Sequence, residues 1–566
     1  MQPASRQLPT EEVDFICVGS GAASLAAAVR AHDLGASVLV LEASDKYGGS
    51  TAISGGVVWI PNNDQLPSRN IPDSREDSLA YLRHLTLGQV SDDRIQAYVD
   101  HAPRMAAYMA ENSWLKLDSL EKYSDYYREA PGGKPGGRSM EPVPFDASLL
   151  GEHFALLRRP HKQSQIMGMF GISAREAHGL LTPGIKATLH ILGRMLQYAL
   201  RYFKRRNFHR DTKLHAGNAL IGRLRKSLLD RNVEIRLLSP VKRLLRDGDR
   251  ISGVVYGEGD EEHSVHARRG VLLGAGGFER NGAMRAKYQR QPTSPDWNAG
   301  NLRNLGDGIR MGAEVGGQLD LMDEAWWTPV TLVPKSKMSW VLVVEKSLPG
   351  SLMVNADGER FCNEAAPYLD VGKAMYEGNA APNGFLIFDA QFRHRYPVGP
   401  CAPGYAMPDS RLPRRLRDGF LIKADSIASL AEKCGLSPDT LQATVERFNK
   451  MSDAGKDEDF QRGDLEYDRY YADHTVKPNP TMRALRKGPF YAIRVYPGDL
   501  GTKGGLVTDT KGRVLDEGGE PIAGLYASGN TTASVMGPTY PGAGGTIGPA
   551  LTFGFLAAEA ALAENA

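Results

Sequence analysis

Tyr540 lies in a loop built almost entirely of glycine and proline, PTYPGAGGTIGP (538–549). Glycines at this density let main-chain amides approach a ligand closely. The apolar run that follows, ALTFGFLAAEAAL, predicts a helix whose N-terminus would present unpaired N–H groups to the same ligand. A tyrosine at this point could donate a hydrogen bond to a bound oxygen, or it could pack in a tight turn. The loop alone favours packing, so the rest of the chain must decide.

A second group of residues with recognisable chemistry lies near the N-terminus, in VDFICVGSGAASLAAAVRAHDLGASVLVLE (13–42). The pattern predicts a strand over 13–18, a glycine turn, an Ala-rich helix and a second strand that ends at Glu42. Gly19 permits the tight turn, and Gly21 lets a pyrophosphate lie against the backbone at the helix N-terminus. Glu42 is placed to accept from a ribose hydroxyl. Ser24 replaces the third small Gly or Ala, and the whole order still predicts a dinucleotide site.

The segment after Glu42 favours a longer dinucleotide than NAD. It reads ASDKYGGSTAISGGVVWIPNN (43–63) and holds two Gly-Gly pairs and several hydroxyls. Two later apolar strands, VLLGAGG (271–277) and GLYASGN (524–530), also end in glycines, and such strand ends meet at the ligand site of an open α/β sheet. The sequence shows no second GxGxxG with a following acid. We therefore expect one bound FAD, no NAD, and an external electron acceptor.

Length, composition and charge place the chain among ordinary globular proteins. It has 566 residues, 42% hydrophobic and 24% charged, and a net charge of +2, which does not indicate a nucleic-acid partner. Cys17, Cys362, Cys401 and Cys434 lie far apart without a CxxC pair, so we expect neither a disulfide framework nor a metal site. The first residues lack the apolar core of a signal peptide, and no run approaches about 20 apolar residues. We expect a cytoplasmic protein.

The order of these elements predicts an α/β protein with a discontinuous, Rossmann-type FAD-binding domain and an inserted α+β catalytic domain. Residues 11–320 form the first part of the FAD-binding domain, and residues 488–566 return to it. The composition changes over 321–487 to aromatic, proline-interrupted segments and a pair of helices, which we assign to the catalytic domain.

A set of longer motifs spans nearly the whole chain in order: GGSTAISGG (48–56), SDYYREAPGGKPGGRS (124–139), GERFCNEAAPYLDVG (358–372), DLGTKGGLVTD (499–509), GLYASGNTTAS (524–534) and TYPGAGGTIGPA (539–550). With these motifs the chain resembles the fumarate-reductase-type flavoproteins and, within them, the 3-ketosteroid Δ1-dehydrogenases. The resemblance implies an FAD enzyme that desaturates the C1–C2 bond of a 3-ketosteroid. In that reaction a proton leaves C2 and a hydride leaves C1 for FAD N5.

The resemblance also assigns roles to four residues. The hydroxyl of Tyr540 and the N–H of Gly544 match the pair that holds the C3 carbonyl, Tyr368 matches the proton-abstracting tyrosine, and Tyr126 matches the tyrosine that supports its anionic form. A free tyrosine has a pKa of about 10, so a tyrosine base needs such support. The residues alone describe Tyr368 as a loop tyrosine and do not distinguish Tyr126 from Tyr127.

The dinucleotide pattern and the resemblance together predict the residues that contact FAD. They lie in the glycine turn, the loop after Glu42, the later strand ends and the start of the C-terminal helix: Gly19, Ser20, Gly21, Ala22, Ala23, Ser24, Glu42, Ala43, Ser44, Gly49, Ser50, Thr51, Ser54, Gly55, Gly56, Val241, Ala275, Gly276, Gly277, Asp307, Gly529, Asn530, Gly545, Thr546, Ile547 and Leu551.

Residues 150–214 form a basic and apolar insertion in the family pattern, and no acid occurs over 177–210. Its apolar residues keep helical spacing: Ile185, Leu189, Leu192, Leu196, Ala199 and Phe203. Its cations cluster toward the end: Lys186, Arg194, Arg201, Lys204, Arg205 and Arg206. Such a helix can insert in an anionic membrane interface, or it can pack on its own domain with the cations at its C-terminus. The Met/Phe-rich MGMFGI (167–172) favours the membrane.

We therefore predict peripheral contact of 165–210 with the inner face of the cell membrane, and a very apolar substrate. The insertion resembles that of the membrane-associated, cholest-4-en-3-one-acting members of the family. This resemblance implies a sterone that keeps its C17 side chain, and a quinone is a suitable external acceptor.

Three other functions compete with this interpretation. A dicarboxylate reductase would need paired arginine clamps, which the loops of Tyr368 and Tyr540 do not supply. A Δ4-(5α)-ketosteroid dehydrogenase is expected to carry a serine two residues after the Tyr540 equivalent, where this chain has Gly542. A membrane-recruited flavin redox sensor would turn over no substrate, and the presence of all four site residues argues against it.

Overall fold

The computed structural model describes residues 10–180, 184–206 and 208–563. The side chains of Lys186, Lys204 and Arg205, which carry part of the predicted basic cluster, lie outside the described set, as do residues 564–566 of the predicted second FAD segment.

The larger sheet has eight strands and contains the predicted nucleotide strands. Its main path runs Glu234–Arg236, Val38–Leu41, Thr10–Val18, His263–Leu273, Arg250–Tyr256 and Val241–Asp247; Pro521–Ala527 pairs with His263–Leu273, and Arg513–Leu515 pairs with Pro521–Ala527. The central pairings are parallel, and Val18 is in register with both Leu41 and Leu273, which in turn pairs with Ala527. The ends of four strands therefore meet at one edge of the sheet, where the glycine-rich segments begin.

The second sheet is antiparallel and lies in the predicted catalytic segment. Its strands are Trp340–Val341, Ala325–Thr331, Phe490–Thr502, Gly384–Asp389, Ser351–Val354 and Ile422–Ala424. The long strand Phe490–Thr502 pairs with three neighbours in this sheet, so its residues belong with 321–487 and not with the larger sheet. This pairing moves the junction past the predicted residue 487, because a strand of this sheet cannot be counted with the FAD sheet.

Shorter strands support the loops around these sheets: Val58–Trp59, Leu117–Ser119, Ser139–Pro142, Phe145–Asp146, Gln165–Ile166, Phe170–Gly171, Lys213–Leu214, Leu319–Asp320 and Gly505–Leu506. The α-helices are Ala22–Asp33, Gly49–Ile53, Arg75–Thr86, Asp92–Asn112, Ala174–Gly179, Ile185–Leu200, Tyr202–Arg205, Ala216–Leu229, Gly282–Tyr288, Asp307–Glu314, Tyr368–Glu377, Ala390–Arg395, Arg414–Arg417, Ile427–Cys434, Pro438–Ala454, Glu466–Tyr470 and Ile547–Ala563.

The C-terminal helix Ile547–Ala563 packs directly on the first helix, Ala22–Asp33. The helices approach so closely that a Cβ on Gly554 would lie 2.4 Å from the carbonyl oxygen of Ala23. Both helices are rich in alanine, and such small side chains permit this approach. The two ends of the chain are thereby joined beside the nucleotide edge of the larger sheet.

The helix Ile185–Leu200 of the insertion presents its apolar face to solvent. Ile185 is 81% exposed, Leu189 62% and Leu196 61%, and Phe203 just beyond the helix is 75% exposed. The inward side carries Arg194 instead, whose guanidinium donates to the carbonyl of Gly171 at 3.0 Å. This arrangement is the reverse of an ordinary surface helix, which buries its apolar side. Among the described residues, no helix has both the length and the hydropathy needed to cross a membrane.

Candidate active site

A cavity of about 520 Å³ runs from the nucleotide edge of the larger sheet to a cluster of buried tyrosines. All four predicted catalytic residues line it, and so do most of the predicted FAD contacts. Five of the latter lie behind the wall: Ser24, Ser44, Gly277, Gly545 and Leu551. They support wall residues through packing and hydrogen bonds, as when the Ser44 N–H donates to Glu42 Oε1 at 2.9 Å.

The nucleotide end of the cavity has the shape that a pyrophosphate needs. Gly19 has φ +91°, and a Cβ on it would lie 2.6 Å from the carbonyl oxygen of Gly274, so only glycine fits the turn. At Gly21 the nearest atom to an added Cβ, Thr51 Oγ1, is 3.8 Å away, which leaves space beside the helix N-terminus. The chain thus offers open main-chain amides to a diphosphate, and the residues present fit FAD.

Glu42 lies at the predicted ribose position and is buried. Its carboxylate accepts from the N–H of Ser20 at 3.1 Å and from the Ser20 hydroxyl. Burial raises the pKa of Glu42, while these hydrogen bonds and the charge of Arg158 lower it. These contacts fix the carboxylate on the cavity wall, in position to accept from a ribose hydroxyl.

The three predicted catalytic tyrosines come from separate segments and pack against one another. The ring centroids of Tyr126 and Tyr368 are 5.6 Å apart, those of Tyr126 and Tyr540 5.2 Å, and those of Tyr368 and Tyr540 5.5 Å. All three pairs are edge-to-face, with interplanar angles of 74° to 78°. Tyr127 turns away and donates to Asp370 at 2.7 Å. The sequence alone did not distinguish Tyr126 from Tyr127. The structure places Tyr126 beside Tyr368 and Tyr540.

Main-chain contacts hold the tyrosine loops together. The N–H of Tyr126 donates to the carbonyl of Pro541 at 3.0 Å, and the hydroxyl of Tyr81 donates to the same oxygen at 2.6 Å. Tyr368 is the first residue of the helix Tyr368–Glu377, directly after Pro367. Each predicted catalytic tyrosine is thus fixed at a loop or helix start and lines the cavity.

Burial raises the pKa of all three tyrosines, and their neighbours modify that effect differently. The pKa values of Tyr368 and Tyr126 are raised well above the ordinary value, and the nearby Tyr126 hydroxyl lowers the pKa of Tyr368. The pKa of Tyr540 is raised by burial and lowered by Thr546, Tyr368 and the N–H of Gly544. The Tyr126 hydroxyl has no hydrogen-bond partner within the described parts of the chain.

The Gly544 N–H lies near enough to the Tyr540 hydroxyl to lower its pKa, and both residues line the cavity. A substrate oxygen held there would accept from the hydroxyl and the amide together, which is the geometry of an oxyanion hole. Gly544 has φ +98°, and a Cβ on it would lie 2.5 Å from the N atom of Trp59, so the position admits no side chain. The loop can therefore present its amide only if residue 544 is glycine.

Sequence reasoning missed several aromatic residues of the cavity wall. Tyr123, Tyr470 and Tyr471 line it, and the hydroxyls of Tyr123 and Tyr471 are 2.5 Å apart. The spacing of Tyr467, Tyr470 and Tyr471 on one helical face was the signal that could have found them. Ala174, Ala177 and His178 also line the cavity, so the insertion contributes directly to its wall.

Charged groups are scarce along this wall. Arg303 is the only lysine or arginine among the described lining residues, and its side chain reaches toward the carbonyl of Ala43 beside Glu42. His161 also lines the cavity, and burial lowers its pKa to about 4, so it is neutral. No group of three or more His, Cys, Asp or Glu residues within the described ranges could hold a metal ion. The tyrosine end is therefore apolar, with hydroxyl and amide donors.

Comparisons with known proteins agree with this geometry. A family model described as an FAD binding domain matches residues 14–547. A 3-oxosteroid 1-dehydrogenase of Mycolicibacterium smegmatis is 41% identical over 97% of each chain, and one of Comamonas testosteroni is 38% identical over 97% of this chain and 96% of that one.

A crystal structure of a 3-ketosteroid Δ1-dehydrogenase from Sterolibacterium denitrificans, in complex with 1,4-androstadiene-3,17-dione, superposes with a TM-score of 0.92 at 45% identity. The match covers 98% of this chain and 100% of that one. The family match and this superposition confirm the predicted fold class and FAD as the cofactor. With these similarities over nearly its full length, the chain belongs to the FAD-dependent 3-ketosteroid Δ1-dehydrogenases.

Proposed function

We propose that this enzyme introduces the Δ1 double bond into 3-ketosteroids that keep their C17 side chain, such as cholest-4-en-3-one, at the inner face of the cell membrane. The observation that carries the reaction is the meeting of Tyr126, Tyr368, Tyr540 and Gly544 at one end of a cavity whose other end fits a dinucleotide.

The C3 carbonyl oxygen binds between the Tyr540 hydroxyl and the Gly544 N–H. These two donors stabilise the negative charge that develops on the oxygen when the neighbouring C2–H bond breaks. Because the site is buried and apolar, each hydrogen bond counts for more there than in water.

Tyr368 takes the C2 proton as the general base. Its raised pKa must be offset, and the Tyr126 hydroxyl acts in that direction as a hydrogen-bond donor to the phenolate. Bound FAD supplies the acceptor for the C1 hydride at N5. The walls of tyrosine, valine and alanine exclude water, which protects the enolate from reprotonation during the reaction.

The insertion supports a substrate with an aliphatic side chain. Its helix Ala174–Gly179 forms part of the cavity wall, and its next helix, Ile185–Leu200, exposes leucines to solvent. A large exposed apolar face marks a contact surface, and here it lies next in the chain to a helix of the cavity wall. A sterone that dissolves in a bilayer would pass from lipid to cavity along this segment. A quinone, which occupies the same bilayer, is the proposed electron acceptor.

Two structural observations disfavour the rival enzymes. A dicarboxylate needs a pair of cationic clamps, whereas the described tyrosine end has none. The Δ4-(5α) pattern needs a serine at residue 542, but a Cβ on Gly542 would lie 2.9 Å from the indole of Trp59. The loop therefore has no space for that serine without moving Trp59.

The decisive experiment is anaerobic. We would add cholest-4-en-3-one, androst-4-ene-3,17-dione and succinate separately to the purified holoenzyme, then record the flavin band and identify the products. Bleaching by both steroids, with 1,4-diene-3-ketones as products and a faster rate with cholest-4-en-3-one, supports the full proposal. A faster rate with the C17 ketone overturns the side-chain preference, and bleaching only by succinate overturns the function. A fully loaded flavin that no compound bleaches favours the redox sensor.

A further inference from the structure

Three lysines donate to main-chain carbonyls directly ahead of the two tyrosines that do the proposed chemistry. Lys346 Nζ lies 2.9 Å from the carbonyl oxygen of Glu364 and 2.6 Å from that of Ala366, two residues before Tyr368. The other two contact the loop of Tyr540. Their acceptors are consecutive carbonyls: Pro538 for Lys373, at 2.9 Å, and Thr539 for Lys503.

Two of these lysines are placed where lysine is costly. Lys346 and Lys503 are each 1% exposed, although a buried ammonium loses its hydration. Burial lowers the pKa of Lys346 to about 8 and that of Lys503 well below its ordinary value. A long apolar residue would fill the same space without that cost, so the donated hydrogen bonds are the property that lysine adds.

Lys503 contacts both the chain and the ring partner of Tyr540. Its ammonium group lies 4.3 Å above the ring of Trp326, and that ring packs on Tyr540 with centroids 4.6 Å apart. The main-chain N–H of Lys503 donates to the carbonyl of Glu324 at 3.0 Å. One side chain therefore holds the carbonyl before Tyr540 and the indole against which Tyr540 rests.

Lys373 joins the two tyrosines. It lies on the helix Tyr368–Glu377, which begins with the proposed base, yet it donates across to Pro538 in the Tyr540 loop. Glu324 Oε1 accepts from the same ammonium at 2.9 Å, so a carboxylate orients the lysine. The helix of the base and the loop of the carbonyl donor are thereby held in a fixed relation.

The Tyr540 loop needs such external donors. Pro538 and Pro541 flank the tyrosine and have no N–H, which limits the hydrogen bonds that the loop can make within itself. We propose that Lys346 positions Tyr368, and that Lys373 and Lys503 position Tyr540 and set its distance from Tyr368. The assignment rests on the proposed function, since it treats these tyrosines as the reacting pair.

The test replaces each lysine with methionine, which keeps the unbranched stem and removes the donor. The first readout is the ionised fraction of a bound steroid with a phenolic A ring, followed by its phenolate absorbance, because ionisation depends on the Tyr540–Gly544 donors. The second is exchange of the C2 hydrogens of a 3-ketosteroid with D₂O on enzyme whose flavin is reduced. That exchange requires the base as well.

We expect Lys503→Met and Lys373→Met to lower both readouts by about tenfold or more, since a displacement of about 1 Å can cost 100-fold. Lys346→Met should lower C2 exchange and leave phenol ionisation unchanged. Lys242→Met is the control, because Lys242 also donates to two carbonyls, of Gly259 and Glu261, far along the chain from either tyrosine. Ionisation that falls in Lys346→Met, or that stays normal in both Lys373→Met and Lys503→Met, overturns the assignment.

A double variant separates positioning from general stability. In a Tyr540→Phe background the hydroxyl is gone, so Lys503→Met should cost little further C2 exchange if it acts through Tyr540. An equal fold-loss in both backgrounds contradicts positioning. If Lys503→Met does not fold, the partly exposed Lys373 gives the same test with Lys373→Met. If Tyr540→Phe alone turns over cholest-4-en-3-one at the normal rate, the proposed function fails instead, so the two failures are distinguishable.

Discussion

At the residue scale, the proposed mechanism gives different roles to tyrosines that lie in one buried cluster. Burial raises the pKa of Tyr540, and three neighbours lower it: the Thr546 hydroxyl at 3.3 Å, Tyr368 and the N–H of Gly544. Tyr368 has Tyr126 as the neighbour that lowers its pKa. Burial outweighs these neighbours at both positions, and the pKa of Tyr368 stays well above its ordinary value, so the proposed base depends on groups such as the Tyr126 hydroxyl to lower it.

We expect Tyr540→Phe to retain FAD and to lose about 100- to 1,000-fold in kcat, because removal of one oxyanion donor costs that much. Turnover of cholest-4-en-3-one measures the loss in kcat, and the flavin spectrum of the purified variant measures the retained FAD. Loss of flavin together with activity would mean that Tyr540 supports the cofactor site instead.

We expect Tyr126→Phe to move the rising limb of the kcat/KM–pH profile to higher pH. The base must be deprotonated, so activity is lost as pH falls below its pKa. The Tyr126 hydroxyl lowers that pKa, and its removal therefore raises it. The variant should be slow at neutral pH and recover part of its rate in alkaline buffer.

Tyr467→Phe is the matched control for the pH profile. The Tyr467 ring packs on Tyr126 with centroids 4.7 Å apart. The substitution therefore also removes a hydroxyl from the aromatic cluster. Its profile should keep the wild-type midpoint. A uniform loss at all pH values in Tyr126→Phe would contradict an effect on the base.

At the element scale, the helix Ile185–Leu200 has its apolar side outward and Arg194 inward, where the guanidinium also lies 2.8 Å from the ring of His215. Deletion of the segment would therefore remove buried contacts and part of the cavity wall along with the exposed leucines. Point substitutions on the outer face test the membrane contact without that damage.

We expect the double variant Leu189→Gln, Leu196→Gln to sediment less with anionic vesicles than the wild type, with unchanged flavin content. The reason is that less apolar area enters the lipid. Leu465→Gln, at an exposed leucine directly before the helix Glu466–Tyr470, should behave as the wild type. Equal sedimentation of all three proteins would contradict attachment by this helix.

We expect Gly554→Val to lower Tm by several degrees and to weaken FAD retention. The added carbons meet the Ala23 carbonyl, and overpacking of this kind costs about 1–3 kcal/mol. Gly193→Val is the control, since a Cβ there meets nothing within 4 Å. Thermal unfolding of both variants, followed by circular dichroism, measures the difference. Equal Tm values would show that the crossing accommodates the larger residue.

At the scale of the whole molecule, the local patterns predicted the elements well and the assembly less well. The glycine turn, the first strands and the helix Ile547–Ala563 could be predicted because their patterns lie in residues that are neighbours in sequence. The strand Phe490–Thr502 was placed with the wrong sheet, because pairing with strands some 70 to 180 residues away leaves no local signal. The tyrosine roles came from resemblance, since three segments far apart in sequence meet only after folding.

We expect FAD to raise the Tm of the deflavinated protein in a concentration-dependent way, and NAD to leave it unchanged. A ligand at 100 times its Kd stabilises the folded state by about 2.7 kcal/mol. Thermal scans at increasing FAD and NAD concentrations make the comparison. An equal shift with NAD would contradict a site specific for the flavin dinucleotide.

The contact between the helices Ala22–Asp33 and Ile547–Ala563 also couples folding to ligand binding. The glycine turn supplies one part of the cavity wall, and Gly529, Thr546 and Ala550, far downstream in the sequence, supply another. The nucleotide edge is therefore complete only while the two helices are in contact. A ligand that binds across both parts stabilises this contact, and the contact in turn strengthens binding of the ligand.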